Sequence, residues 1–168
     1  MRLSSKHLFC QLACLALLLP AAFAFRHKTP LKPPAVKRDL YPADADATAD
    51  IRKALQTAVK EHKNVLLDFG GNWCYDCHVL DNAFHDPRIQ PLLDRNFVLV
   101  HVDVGEFNKN TDLARQYKVP LEKGVPALAV LDGNGKILFS QTQGEFESAR
   151  SLNVEDVLDF LNRWKPHP

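Results

Sequence analysis

The sequence predicts an α/β protein whose mixed central β-sheet is sandwiched by helices. Two observations carry that prediction. Apolar runs of strand length alternate with stretches of helical period, the pattern of parallel βαβ units. Two late apolar runs are joined by Asp132-Gly133-Asn134-Gly135, a hairpin signal that adds an antiparallel pair. The resulting order is helix, strand, helix, strand, helix, strand, strand, helix, and no internal repeat interrupts it.

Each element has its own signal. Ile51, Ala54, Leu55, Ala58 and Val59 fall at i, i+3, i+4, i+7 and i+8, the stripe of an amphipathic helix. Val65-Leu66-Leu67-Asp68-Phe69 is a short apolar run ended by Gly70-Gly71, which suits a buried strand. Val79, Leu80, Ala83 and Phe84 continue at helical spacing until Asp86-Pro87 forces a stop and a restart. Phe97 to Asp103 is the second buried strand. Thr111 is placed to cap a short helix carrying Leu113 and Tyr117. Ala127–Leu131 and Ile137–Phe139 are the hairpin strands. Val154, Val157, Leu158 and Leu161 mark the last helix, with Trp164 packing one turn further on.

Composition narrows the class without naming a task. The 168 residues are 46% hydrophobic, enough for one core, and the formal net charge of +1 with no basic stripe gives no argument for nucleic acid. Residues 1–24 have the pattern of a secretory signal peptide. Arg2, Lys6 and His7 precede the apolar run Leu8–Leu19, Pro20 breaks it, and Ala22-Phe23-Ala24 offers a small-x-small processing site. An uncleaved anchor helix is the alternative, and a lipoprotein site at Cys14 fits less well because it would halve the apolar run. Removing the leader takes away Arg2, Lys6, Cys10 and Cys14. The 21 basic side chains fall to 19 against 20 acidic ones, and the two remaining cysteines form one Cys-x-x-Cys. Export to a periplasmic or extracellular compartment, where disulfides persist, is the expected location, with no stable membrane insertion after cleavage. Residues 25–47, punctuated by Pro30, Pro33, Pro34 and Pro42, read as a flexible linker ahead of a domain spanning 48–168.

The motifs resemble the thioredoxin family. The resemblance rests on Val65-Leu66-Leu67-Asp68-Phe69, on Trp73-Cys74-Tyr75-Asp76-Cys77, and on Gly124-Val125-Pro126 ahead of a strand and an Asp-Gly-Asn-Gly hairpin, and it covers residues 50–165. It implies a thioredoxin fold and a thiol-disulfide oxidoreductase with no cofactor beyond a redox-active Cys74–Cys77 disulfide. The implied partners are protein thiols and disulfides and an unidentified redox partner, met by a monomer. A permanent disulfide or an inert pair is the bland alternative.

The chemistry fits the spacing. A cysteine at the first turn of a helix lies where unpaired N–H groups favour a thiolate, which makes Cys74 the expected nucleophile. Cys77, one turn on, is expected to resolve the mixed disulfide. Asp68 is either a strand carboxylate satisfied locally or, as the resemblance implies, the buried proton acceptor for the resolving cysteine. Pro126 is either a tolerated strand-start proline or the cis proline that brings Val125 beside the disulfide to meet an incoming peptide. Trp73 and Tyr75 complete the expected substrate-contacting set.

Two departures from the family stand out. Tyr75-Asp76 replaces Gly-Pro, and Gly70 stands where cytosolic members often have tryptophan. Asp76 would disfavour the thiolate and give a reducing character, whereas a protonated His78 would oppose it. His78 and His85 are expected to be solvated, Asp81, His85 and Asp86 to be exposed helix polarity, and no metal site is expected because no third ligand is suitably spaced.

Two rivals come from other classes. Cys74-Tyr75-Asp76-Cys77-His78 is literally C-x-x-C-H, a haem attachment string. Against it stand the strand entering the motif, the late hairpin, and the lack of any methionine after Met1 to serve as a sixth ligand. A non-catalytic binding or assembly module on the same fold is the second rival. The leader yields the first prediction: exported protein begins at Phe25, and an intact mass retaining residues 1–24 would favour the anchor.

Overall fold

The computed structural model describes residues 28–34 and 38–167, and the signal segment lies outside them. The elements are α1 (Ala47–Glu61), β1 (Asn64–Gly70), α2 (Tyr75–Phe84), α3 (Gln90–Asn96), β2 (Phe97–Asp103), α4 (Thr111–Gln116), β3 (Ala127–Leu131), β4 (Ile137–Ser140) and α5 (Val154–Trp164). The sheet order is β2-β1-β3-β4, with β1 parallel to β2 and antiparallel to β3, and β3 antiparallel to β4. This is the mixed sheet that the strand–helix alternation and the hairpin predict.

Strand β1 is buried along its whole length because helices cover both faces. Val65, Leu67 and Phe69 join the core under α1 and α4, whereas Leu66 turns to the core built with Val79, Leu80, Phe84, Val157 and Leu161. Helix α1 buries Ala47, Ile51, Ala54 and Ala58, and the Asp46 side chain caps it by accepting the Ala49 N–H at 3.0 Å. The stripe is narrower than the sequence suggests, since Val59 is 55% exposed at its edge. Pro91 sits in the first turn of α3, the restart signalled after Asp86-Pro87. Helix α4 begins at Thr111, but its N-cap is Asn110 and no side chain caps it, so the expected Thr111 cap does not form.

The main correction concerns the segment taken for a flexible linker. Where it is described, it is packed. Leu31 and Tyr41 are 7% and 2% exposed. Leu31 N–H donates to the Leu152 carbonyl at 3.1 Å, and Val154 N–H to that of Thr29 at 2.8 Å, which ties residues 28–34 to the start of α5. Residues 38–46 form a strap over the turn between β1 and α2. Asn72 fastens it: its Oδ1 accepts from Leu40 and Tyr41 N–H at 2.9 and 3.2 Å, and its Nδ2 donates to the Tyr41 carbonyl at 2.9 Å. Prolines and charges make the segment look unfoldable, yet one leucine and one tyrosine with backbone partners suffice to hold it.

Gly70 is where strap and sheet meet. A Cβ there would strike the Tyr41 phenol on one side (2.6 Å to Cζ) and Cys77 Sγ on the other (2.8 Å). The Tyr41 phenol, from 29 positions earlier in the chain, fills the space that a side chain at position 70 would take. Gly70→Ala is therefore expected to destabilise the oxidised protein by about 1–3 kcal/mol through overpacking, measured by denaturant unfolding.

Candidate active site

The turn Gly71–Cys74 carries the chain from the interior strand β1 into α2. Cys74 N–H donates to the Gly71 carbonyl at 2.9 Å, and Cys74 is the N-cap residue of α2, its Sγ accepting the Cys77 N–H at 3.1 Å. The two cysteines are disulfide-bonded with Cα atoms 5.3 Å apart. Cys74 keeps 5% of its surface open and Cys77 none, so an incoming sulfur reaches Cys74. That N–H already aimed at Cys74 Sγ would stabilise a thiolate there.

Around this sulfur lie the residues expected to contact substrate. Trp73 and Tyr75 are each 44% exposed. The Trp73 indole N–H donates to the Gly105 carbonyl at 2.7 Å, and its ring lies 5.5 Å from that of Phe107. The Val125–Pro126 bond is cis, and the Val125 carbonyl oxygen is 3.5 Å from Cys74 Sγ. Buried Gln141 supports that loop, donating to the Pro126 carbonyl and accepting from Leu128 N–H, both at 3.2 Å. Beyond it opens a cavity of about 610 Å³ lined by Phe107, Ala114, Val119, Leu121 and Gly124.

Asp68 is completely buried. Its Oδ2 accepts from the Tyr41 hydroxyl at 2.9 Å and from His101 Nδ1 at 3.0 Å, whereas Oδ1 has no partner among the described residues. Burial works to lower the His101 pKa, but the hydrogen bond and charge of Asp68 outweigh it and hold the imidazolium above its usual range. The Tyr41 hydroxyl is pushed well upward, first by burial and then by the Asp68 charge, so at neutral pH it keeps its proton and donates.

Asp76 does not act as an unpaired charge beside the sulfurs. Arg150 N–H and Nε donate to its Oδ1, both at 2.9 Å, and Nη2 donates to Oδ2, while the guanidinium lies 4.9 Å from the centre of the Tyr75 ring. Burial would raise the Asp76 pKa, but Arg150 more than offsets it and holds the carboxyl below the ordinary range.

Two polar expectations fail. His78 is 2% exposed, not solvated, and its Nε2 donates to the Asn72 carbonyl at 2.9 Å. Asp81 is 5% exposed and pairs with Arg38 of the strap at 3.2 Å. Asp81 is covered by the strap through Arg38, and His78 is held by the turn residue Asn72 that clamps the strap; His85 is exposed as expected. Sequence reasoning also missed Tyr41, His101 and Arg150. Tyr41 is the only Phe, Tyr or Trp between Lys28 and Asp68, and His101 is the one titratable group inside the apolar run Phe97–Val102. Those were the available signals. Arg150 left none.

The sequence model of a family described as thioredoxin-like matches residues 46–133. The chain belongs to that family. A disulphide isomerase from Xylella fastidiosa Temecula1 is 33% identical over 76% of this thioredoxin-like chain and 98% of its own, with a TM-score of 0.71. A thioredoxin from Thermus thermophilus, 21% identical over 76% of this chain and 87% of its own, has a TM-score of 0.51 and shows the fold alone. The thiol:disulfide interchange protein DsbD of Pseudomonas fluorescens is 29% identical over 118 residues, 69% of this chain. The chain spans only 18% of that protein's length.

The Arg150 geometry gives a prediction. Arg150→Ala leaves the Asp76 carboxylate uncompensated beside Cys74. The pH midpoint for alkylating Cys74 in the reduced protein is expected to rise by about half a unit to one unit, with Arg150→Lys in between; an unchanged midpoint would show that the pair does not act on the sulfur.

Proposed function

We propose that this protein is an exported thiol–disulfide oxidoreductase that works from its dithiol form on the disulfides of partner proteins. The observation that carries the reading is the placement of Cys74 at the N-cap of α2, with a sliver of its surface open to solvent and Cys77 sealed one turn behind it. The disulphide isomerase and the interchange protein that the chain resembles bear names of the same chemistry. The leader pattern supports export, and among the described residues no helix is long and apolar enough to cross a membrane.

The reaction runs in two displacements. The Cys74 thiolate attacks one sulfur of the partner disulfide, a mixed disulfide forms, and the first partner sulfur leaves as a thiolate. Trp73, Tyr75 and the Val125 backbone border the point of attack, and the peptide carrying the disulfide is held along the Val125 edge. Cys77 then loses its proton towards Asp68 and attacks Cys74 Sγ, and the second partner sulfur leaves. The partner has gained two electrons, and the Cys74–Cys77 disulfide has to be reduced again by an external dithiol.

Trapping tests the roles of the two sulfurs. Cys77→Ser is expected to accumulate mixed disulfides through Cys74, and Cys74→Ser to lose both activity and trapping. Complexes formed only by Cys74→Ser would reverse the assignment, and none from either variant would favour a binding module. A potential near about −270 mV against glutathione supports the reducing direction, whereas one near about −120 mV would make the protein an oxidant.

A further inference from the structure

The proton leaving Cys77 needs a path, and the structure places a hydroxyl on it. The Tyr41 oxygen and Cys77 Sγ both lie within 3.0 Å of the single point where a Gly70 Cβ would sit, so the absence of a side chain at Gly70 lets both atoms border the same small space. On its other side the same hydroxyl donates to Asp68 Oδ2 at 2.9 Å. Tyr41 thus bonds the buried carboxylate and borders the space beside the buried sulfur. In the oxidised protein, among the described residues, no hydrogen bond joins Cys77 Sγ to Asp68 or to Tyr41. Tyr41 precedes residues 46–133, the stretch the family match covers.

We propose that the Tyr41 hydroxyl relays the Cys77 proton to Asp68 during the resolving step. The inference rests on the dithiol reading above. As Cys77 Sγ closes on Cys74 Sγ, its proton passes to the Tyr41 oxygen and the phenol's own proton passes to Asp68 Oδ2. The new S–S bond forms, the bond from Cys74 to the partner breaks, and the electron pair leaves on the partner sulfur. The phenol ends as it began, and no oxidant or reductant is consumed in the relay. Its surroundings suit the task. Asp68, Asp81 from α2 and Asp103 at the end of β2 act on the phenol electrostatically. His101 holds Asp68 Oδ2 from the other side at 3.0 Å, and its ring lines a cavity of about 340 Å³ that Lys53 and Asp50 of α1 also border. Residues 38–46 position the hydroxyl, because Asn72 binds both the amide and the carbonyl of Tyr41.

The test uses the reduced full-length protein mixed with an aromatic disulfide, 5,5′-dithiobis(2-nitrobenzoate), in a stopped-flow instrument. Attack by Cys74 releases the first chromophoric thiolate, and attack by Cys77 on the mixed disulfide releases the second in a step independent of reagent concentration. Tyr41→Phe keeps the ring over Gly70 and removes the oxygen. It is expected to slow the second phase about tenfold at neutral pH and to leave the first within about twofold. It is also expected to diminish the solvent deuterium isotope effect on the second phase. Asn72→Ala, which keeps the hydroxyl but frees the strap, should slow the same phase alone. An unchanged second phase in Tyr41→Phe, or equal slowing of both phases, would overturn the relay. Asp68→Asn separates the two readings: if it slows the second phase while Tyr41→Phe does not, the relay fails and Asp68 stands, and if it has no effect, both fail.

Discussion

Asp68 lies fully buried behind the disulfide, and the site is arranged around that fact. Taking a carboxylate out of water costs several kcal/mol unless donors replace the solvent. Two donors do so here, each a hydrogen bond to a charged group of about 1.5–3 kcal/mol. His101 comes from β2, where the parallel register sets it directly against Asp68. Tyr41 comes from outside the sheet. The second donor imposes a chain of further requirements. Position 70 has to be glycine to admit the phenol, Asn72 has to clamp the strap, and His78 has to be buried to meet the Asn72 carbonyl. Among the described residues Oδ1 has no hydrogen-bond partner, so Asp68 is held but not saturated.

The helix terminus divides the labour between the sulfurs. Cys74 stands half outside α2 and takes one of the N–H groups that the first turn cannot satisfy internally. Cys77 contributes that N–H and turns its sulfur inward, towards Gly70 and the phenol. One sulfur therefore faces backbone donors and an approach from solvent. The other faces Gly70 and the Tyr41 phenol in the buried interior, where electrostatic effects are larger. A pair alike in sequence becomes two different reagents through three residues of helical rotation.

Most of the fold was legible because its signals are local. The apolar runs of β1 and β2, the Asp132–Gly135 hairpin and the period of α5 report burial directly, and all of those elements form. The Cys-x-x-Cys and Val-Pro motifs likewise place Cys74 and Val125 side by side. What was not legible depends on single contacts between distant positions. The strap looks like a linker because its prolines and charges outnumber its anchors, and no window average registers one tyrosine inserted beside a glycine 29 positions later. Once the strap is dismissed, His78 and Asp81 have no reason to be buried and are assigned to solvent. Arg150 shows the same limit, since nothing in its neighbourhood announces a partner 74 positions away.

That partner changes the meaning of the motif. Read in sequence, Asp76 places a negative charge within a turn of Cys74, which would destabilise the thiolate and favour the disulfide. In the structure, its two oxygens are taken by one guanidinium and one backbone N–H, so its charge is largely spent before it reaches the sulfur. The Arg150 side chain is 61% exposed, and its guanidinium lies over the Tyr75 ring. The surface met by an incoming chain beside Cys74 is thus a cation stacked on an aromatic ring, bordered by Trp73, and not an acidic patch. The acidic residue holds Arg150 in place, and Arg150 in turn offsets the negative charge that Asp76 would otherwise present at the start of α2.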